Sequence, residues 1–151
     1  MYRSKYILFF LILLVASSCS KQNDRFKLEA QFKNLNQGEF YIYDINTGKK
    51  DTVAVNDGHF TYERQLTDTI TLSVIFPNYS EIPIFATPGG EVTMEGDASH
   101  LRDTEIKGTP DNDLMTAFRL KTNEMTPPET EAEAGKVINE HPESPVSLYL
   151  L

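Results

Sequence analysis

The sequence predicts a mainly β protein: an antiparallel β-sandwich or open barrel of about eight short strands, followed by two or three short C-terminal helices. Three observations predict it. Apolar and polar residues alternate in short runs from Phe26 to Gly108, clusters of Asn, Asp, Gly and Pro separate those runs, and no helical pattern intervenes, which argues against a parallel sheet. At Gly108-Thr109-Pro110-Asp111 the pattern then changes to helix-start residues with apolar positions at helical spacing behind them.

Phe26-Leu28-Ala30-Phe32 has the period of two expected of a half-buried strand. Tyr41 and Tyr43, then Val53 and Val55, continue the alternation after the Asn36-Gln37-Gly38 and Asn46-Thr47-Gly48 turns. Asn56-Asp57-Gly58 predicts a tight hairpin, because such turns need the positive φ angles that these residues tolerate best. Phe60 and Tyr62 lead the returning strand, and Ile70-Leu72-Val74-Phe76 and Ile82-Ile84 follow. Pro77 and Pro83 mark strand ends or an edge, since proline cannot donate to the ladder. After the Pro88-Gly89-Gly90 turn, Val92-Met94 and Ile106 complete the set.

Thr109 is placed as a helix N-cap with Pro110 in the first helical position, and Asp111 and Asp113 favour the positive end of the helix dipole. Leu114, Ala117, Phe118 and Met125 fall near one face, and Pro127-Pro128 stops the helix. Glu129 to Glu140 reads as a second helix. Ser144-Pro145 starts a third, with Val146-Ser147-Leu148-Tyr149-Leu150-Leu151 behind it. So short a helix is marginal unless packed. Its apolar residues are expected either to dock on the β domain or to belong to a longer ancestral chain; Val146, Leu148, Tyr149, Leu150 and Leu151 are the candidate contacts for a protein partner.

The N-terminus carries an address. Arg3 and Lys5 precede an apolar run from Tyr6 to Val15, and Ala16-Ser17-Ser18 supplies small residues before Cys19, the only cysteine. That order is a secretory signal, and the run is too short to span a membrane. A cysteine in this position resembles a bacterial lipobox, in which the thiol takes a diacylglycerol and the preceding residues are removed; Ala16 stands where lipoboxes usually carry Leu. Cys19 is therefore the expected lipidation site. The organisation reads as residues 1–18 signal peptide, 19–25 lipidated tether, 26–108 β domain and 109–151 helical segment, with an exported product anchored to the outer or inner membrane of a bacterial envelope, periplasmic or surface-facing.

Two of the 14 Lys and Arg precede Cys19 while all 22 Asp and Glu follow it, so the chain from Cys19 onward has 12 positive against 22 negative residues, a formal net charge of −10. That sign opposes nucleic acid as a partner. With one cysteine no internal disulfide can form, and the fold must rely on its apolar core.

The residues show no catalytic constellation. His59, His100 and His141 lie far apart without zinc spacing. Asp111-Asn112-Asp113 lacks the closing glutamate of a calcium loop, and helix capping accounts for it. Glu91, Glu95 and Asp97 alternate along one strand and belong on its wet face; a deep pocket joining Glu95 or Asp97 to His100 would revive an enzymatic reading. There is no nucleophile elbow, phosphate loop or dinucleotide fingerprint. No cofactor and no metal are expected.

Four stretches carry a resemblance: Asp51-Thr52-Val53-Ala54-Val55 with Asp57-Gly58-His59-Phe60; Pro88-Gly89-Gly90-Glu91-Val92; Ile106-Lys107-Gly108-Thr109-Pro110-Asp111-Asn112-Asp113; and the segment from Pro142 to Leu151. In these the chain resembles the N-terminal domain of unknown function found in Bacteroidetes lipoproteins, commonly ahead of a TlpA-type thioredoxin-like (thiol-disulfide oxidoreductase or AhpC/TSA-like) domain. The resemblance implies a lipid-tethered spacer, presenting platform or dimerisation surface. The family's redox activity does not carry over, because no residue here corresponds to its Cys-x-x-Cys. The expected function is a non-catalytic, lipid-anchored interaction or spacer module; the alternative is an accessory part of a thiol-disulfide oxidoreductase system whose thioredoxin-like domain is missing or separately encoded.

Overall fold

A computed structural model describes residues 24–151. Its strands are β1 (Arg25–Lys33), β2 (Gln37–Asp44), β3 (Lys50–Asn56), β4 (His59–Gln65), β5 (Ile70–Ile75), β6 (Glu81–Ala86), β7 (Glu91–Asp97) and β8 (Glu105–Lys107). Three helices follow: α1 (Pro110–Thr122), α2 (Pro127–Glu140) and α3 (Pro145–Leu150). All strands join one sheet in the order β6-β5-β2-β3-β4-β1-β7-β8, curled into a nearly closed barrel. The expected number of strands and the mainly β class are both present.

Chain length explains the curl. Thr87 to Gly90 must connect β6, the first strand of that order, to β7, the seventh. In a flat sheet they would stand about 29 Å apart, at ~4.8 Å per strand step. The link from Ala86 to Glu91 reaches about 18 Å when fully extended, so the sheet must roll up.

Every neighbouring pair is antiparallel except β1 and β7, which run parallel with Leu28 opposite Val92 and Ala30 opposite Met94. This departs from the antiparallel expectation. The closing link delivers β7 beside β1 from the same end, and no sequence pattern over residues 91–97 distinguishes the two directions.

The barrel interior is filled by apolar side chains, among them Phe26, Leu28, Phe32, Phe40, Ile42, Leu72, Phe76, Ile84, Met94 and Ile106, each 2% exposed or less. Phe40 meets Phe32, Phe60 and Phe76 edge-on at 5.6, 5.3 and 4.8 Å between ring centroids. Each such pair is worth about 0.5–1.5 kcal/mol beyond the area it buries. In β2 the expected phase is corrected: Phe40 and Ile42 face the core, while Tyr41 and Tyr43 lie half-buried on the outer face, with Lys50 Nζ 4.5 Å from the Tyr41 ring centre. Both phases of this strand are aromatic or aliphatic, and only the tyrosines carry a hydroxyl that must stay wet.

The predicted hairpin forms, with Asp57 at φ 50° and Gly58 at φ 77°. Any side chain at Gly58 would place its Cβ 2.1 Å from the Phe32 carbonyl oxygen, which itself belongs to the adjoining strand. Gly108 is equally constrained, at φ 116° with a Cβ position 2.3 Å from the Glu91 carbonyl oxygen.

The strands β6 and β8 are the sheet edges, and α1 closes the seam between them. Asn112 accepts from the Phe85 backbone N–H at 3.0 Å and donates to the Phe85 carbonyl at 2.8 Å. One helical turn on, Thr116 accepts from the Ile106 N–H at 3.1 Å and donates to the Ile106 carbonyl at 2.7 Å. Each side chain thus takes the place of a missing strand. Pro83 sits two residues before Phe85 on the edge strand, so its missing N–H falls on the side facing away from β5 and removes no ladder bond.

The expected apolar stripe of α1 is also corrected. Ala117 is exposed and Leu114 only partly buried, whereas Asn112, Met115, Thr116 and Phe118 are buried. Thr109 is the N-cap and Pro110 the first helical residue as expected, although the Thr109 hydroxyl accepts from the Asn112 side chain at 2.7 Å rather than from the helix backbone. Outside the barrel, Phe85 of β6 packs with Met115, Phe118, Val137 and Val146 in a second apolar cluster that holds the three helices.

Candidate functional site

With the interior packed, the exterior offers the space for recognition. Four antiparallel steps separate β5 from β1, so β5 runs the same way as β1, and so does β7. The β5–β6 turn, the β7–β8 connection and the end of α1 therefore gather at the end of the barrel opposite the start of β1. They frame a cleft in two adjoining lobes of about 410 and 520 Å³, with Ser80, Leu101, Arg102 and Asn123 lining both.

Arg119 lines the first lobe from α1. Its guanidinium donates to the Thr104 carbonyl at 3.0 Å and to the Arg102 carbonyl at 3.2 Å, tying α1 to the 3-10 turn Leu101–Asp103. Burial pushes its pKa below the ordinary arginine value. Among the described residues neither Arg102 nor Arg119 forms an ion pair with a carboxylate, whereas Arg64 pairs with the buried Asp44 at 2.8 Å and Lys136 with Glu133 at 2.9 Å. Asn123 donates to Asp103 at 3.0 Å on the rim, and Glu81 accepts from the Ser73 hydroxyl at 2.8 Å.

Beside this cleft, the structure brings Glu95, Asp97 and His100 to one open depression of about 470 Å³, together with Lys33, Asp103 and Glu105. The set has a definite wiring. Asp97 accepts from Asn34 at 2.8 Å and from the Ser99 backbone and hydroxyl at 2.8 and 2.5 Å, and Ser99 Oγ lies 2.9 Å from His100 Nδ1. The Asn34 amide and the Ser99 groups lower the Asp97 pKa to about 2. Ser99 stands between the carboxylate and the imidazole, the reverse of a nucleophilic triad, in which histidine is central. Removing its proton would put an alkoxide against a carboxylate, so the arrangement holds a turn and does not activate an oxygen.

The other sequence candidates disperse. His59 is on the β3–β4 hairpin and His141 ends α2, both exposed, and no set of three His, Cys, Asp or Glu among the described residues can hold a metal ion. Glu91 and Glu95 face solvent as expected. In Asp111-Asn112-Asp113, Asp111 accepts from Ser144 at 2.6 Å, Asn112 clasps Phe85, and Asp113 accepts from the Gly108 N–H at 3.2 Å. Val146 is fully buried and Leu150 partly so, and the Tyr149 ring meets Phe85 edge-on at 6.1 Å. Leu148 and Leu151 remain 76% and 88% exposed. Cys19 and the signal segment lie outside the described residues; among those described, no helix is long and apolar enough to cross a membrane.

The sequence reading did not single out Asn112, Thr116, Arg102 or Arg119 as a group. Asn112, Thr116, Arg119 and Asn123 recur at helical spacing, and that pattern was present to be found. A polar stripe on a helix ordinarily faces water, and nothing local announces that this one faces two strand edges.

Residues 26–115, more than half of the chain, match the model of a family described as a domain of unknown function (DUF4369). No curated protein and no solved structure matches the chain.

Proposed function

We propose that this chain, which belongs to the DUF4369 family, is a non-catalytic interaction or spacer module anchored to a bacterial cell envelope by lipid on Cys19. The observation that carries the non-catalytic part is the filled barrel: its interior is occupied by phenylalanine and aliphatic side chains, which leaves recognition to the outer surface. The anchoring part is supported by the order of Arg3 and Lys5, the apolar run, the small residues and Cys19. Two acyl chains on that sulfur would hold the protein stably, where one is marginal.

A second reading is favoured by one observation. Leu148 on α3 and Leu151 just after it are exposed while Val146 of the same helix is buried, an arrangement that suits a separately encoded thioredoxin-like partner and a role as an accessory to thiol-disulfide exchange. Membrane fractionation and intact mass of the expressed full chain test the main reading. The wild type is expected in the membrane fraction with Cys19 acylated, and Cys19→Ser is expected to be released. A Cys19→Ser protein that stays membrane-bound, or an unacylated wild type, refutes it.

A further inference from the structure

We infer that the cleft at the end of the barrel remote from β1's start binds a carboxylate, held by Arg102 and Arg119. The inference deepens the reading of the chain as an interaction module and rests on it. Two cationic side chains converge on one cleft in a chain of formal charge −8, and neither has a carboxylate partner among the described residues. Arg119 is preset: carbonyls of Thr104 and Arg102 hold its guanidinium in place, and these use two of the five N–H donors a guanidinium carries. Little rotamer freedom remains to be lost on binding.

The charges around the cleft select the anion. Glu81, Asp103 and Glu124 also line it. These carboxylates repel an anion in proportion to its charge, so a singly charged carboxylate meets about half the repulsion of a doubly charged phosphate. A planar carboxylate also matches the guanidinium fork. At the rim Tyr79 is 88% exposed at φ 63°, between Asn78 and Ser80 of the second lobe. A bulky residue held in that conformation is strained, and tyrosine and arginine are among the side chains enriched where protein interfaces gain most of their energy.

The carboxylate can come from a small acid or from an acidic side chain of a protein segment. Isotope-labelled full chain in non-ionic detergent, titrated with propionate and with a capped Gly-Gly-Glu-Gly-Gly peptide and followed by amide shifts, separates the two. Saturable shifts are expected at Ser80, Arg102 and Asn123, and Arg102→Glu is expected to weaken binding by about tenfold or more. Lys50→Glu, the same charge change at the opposite end of the barrel, is expected to leave binding unchanged. Peptide binding that exceeds propionate and falls with Tyr79→Ala assigns a protein segment; equal binding of the two probes assigns a small acid. Absence of saturable shifts with both probes, or binding indifferent to Arg102→Glu, overturns the inference. Cys19 acylation is measured on the same sample by mass, so an acylated protein with an unresponsive cleft fails here while the anchoring reading stands.

Discussion

Asn112 is the side chain on which closure of the barrel can be tested most directly. Asn112→Ala removes both bonds to Phe85, at 3.0 and 2.8 Å, in a place where Asn112 is 1% and Phe85 0% exposed. The backbone N–H and carbonyl of Phe85 lose these partners, and each orphaned buried group costs about 1–3 kcal/mol. Some relief comes from water entering the shortened side chain's space, so a loss of about 2–4 kcal/mol is expected. For a domain of this size that is roughly 6–20 °C in Tm. The chain has no tryptophan, so urea unfolding should be followed by far-ultraviolet circular dichroism and tyrosine emission, with hydrogen exchange reporting the Phe85 amide. Thr116→Val is the companion. It keeps the shape of the side chain and removes only the two bonds to Ile106, so the Ile106 amide should lose protection in that variant and the Phe85 amide in the other. A loss below about 0.5 kcal/mol, the scatter of ordinary surface changes, or unchanged protection of Phe85, would refute the claim that α1 stands in for a strand.

Two further predictions concern the turn at Asp97 and the last helix. The Asp97 carboxyl titrates near 2 in the folded protein against an ordinary 3.8, so it binds fewer protons folded than unfolded; its contribution is present above about pH 4 and is lost as pH falls toward 2. The urea midpoints of wild type and Asp97→Ala should accordingly differ most at pH 6 and draw together as pH falls from 4 toward 2, and a difference constant across that range would show that the carboxylate's bonds are not the cause. Deleting Val146 to Leu151 removes a fully buried valine and the Tyr149–Phe85 contact from the second cluster; burial of one such aliphatic side chain is worth about 1.5–3 kcal/mol, so Tm should drop by several degrees, and an unchanged Tm would mean the helix is not docked.

Much of the fold was legible because its signals are local. The Asn56-Asp57-Gly58 turn needs positive φ, and Asp57 and Gly58 adopt it. Pro83 marked a strand end or an edge, and β6 is an edge strand. Pro110 opens a helix as expected, whereas Pro127, read as a helix stop, opens the next one. The phase of β2 was not legible, since Phe40, Tyr41, Ile42 and Tyr43 satisfy either face by hydrophobicity alone. The candidate site was legible only in fragments: Asp97 and His100 were noticed, and their meeting at Ser99 was not; Arg102 and Arg119 lie 17 residues apart in different elements.

By itself, then, the sequence determined where the chain turns, which segments are extended or helical, and that the chain is acidic. These depend on φ preference, side-chain period and charge, which act over a few residues. Only the tertiary structure decided that β7 lies parallel to β1, that the sheet rolls until its two edges face each other, and that Asn112 and Thr116 bridge them. Strand pairing is chosen by which backbone donors and acceptors remain unsatisfied once every other strand is placed, and that condition exists only after the whole sheet has formed.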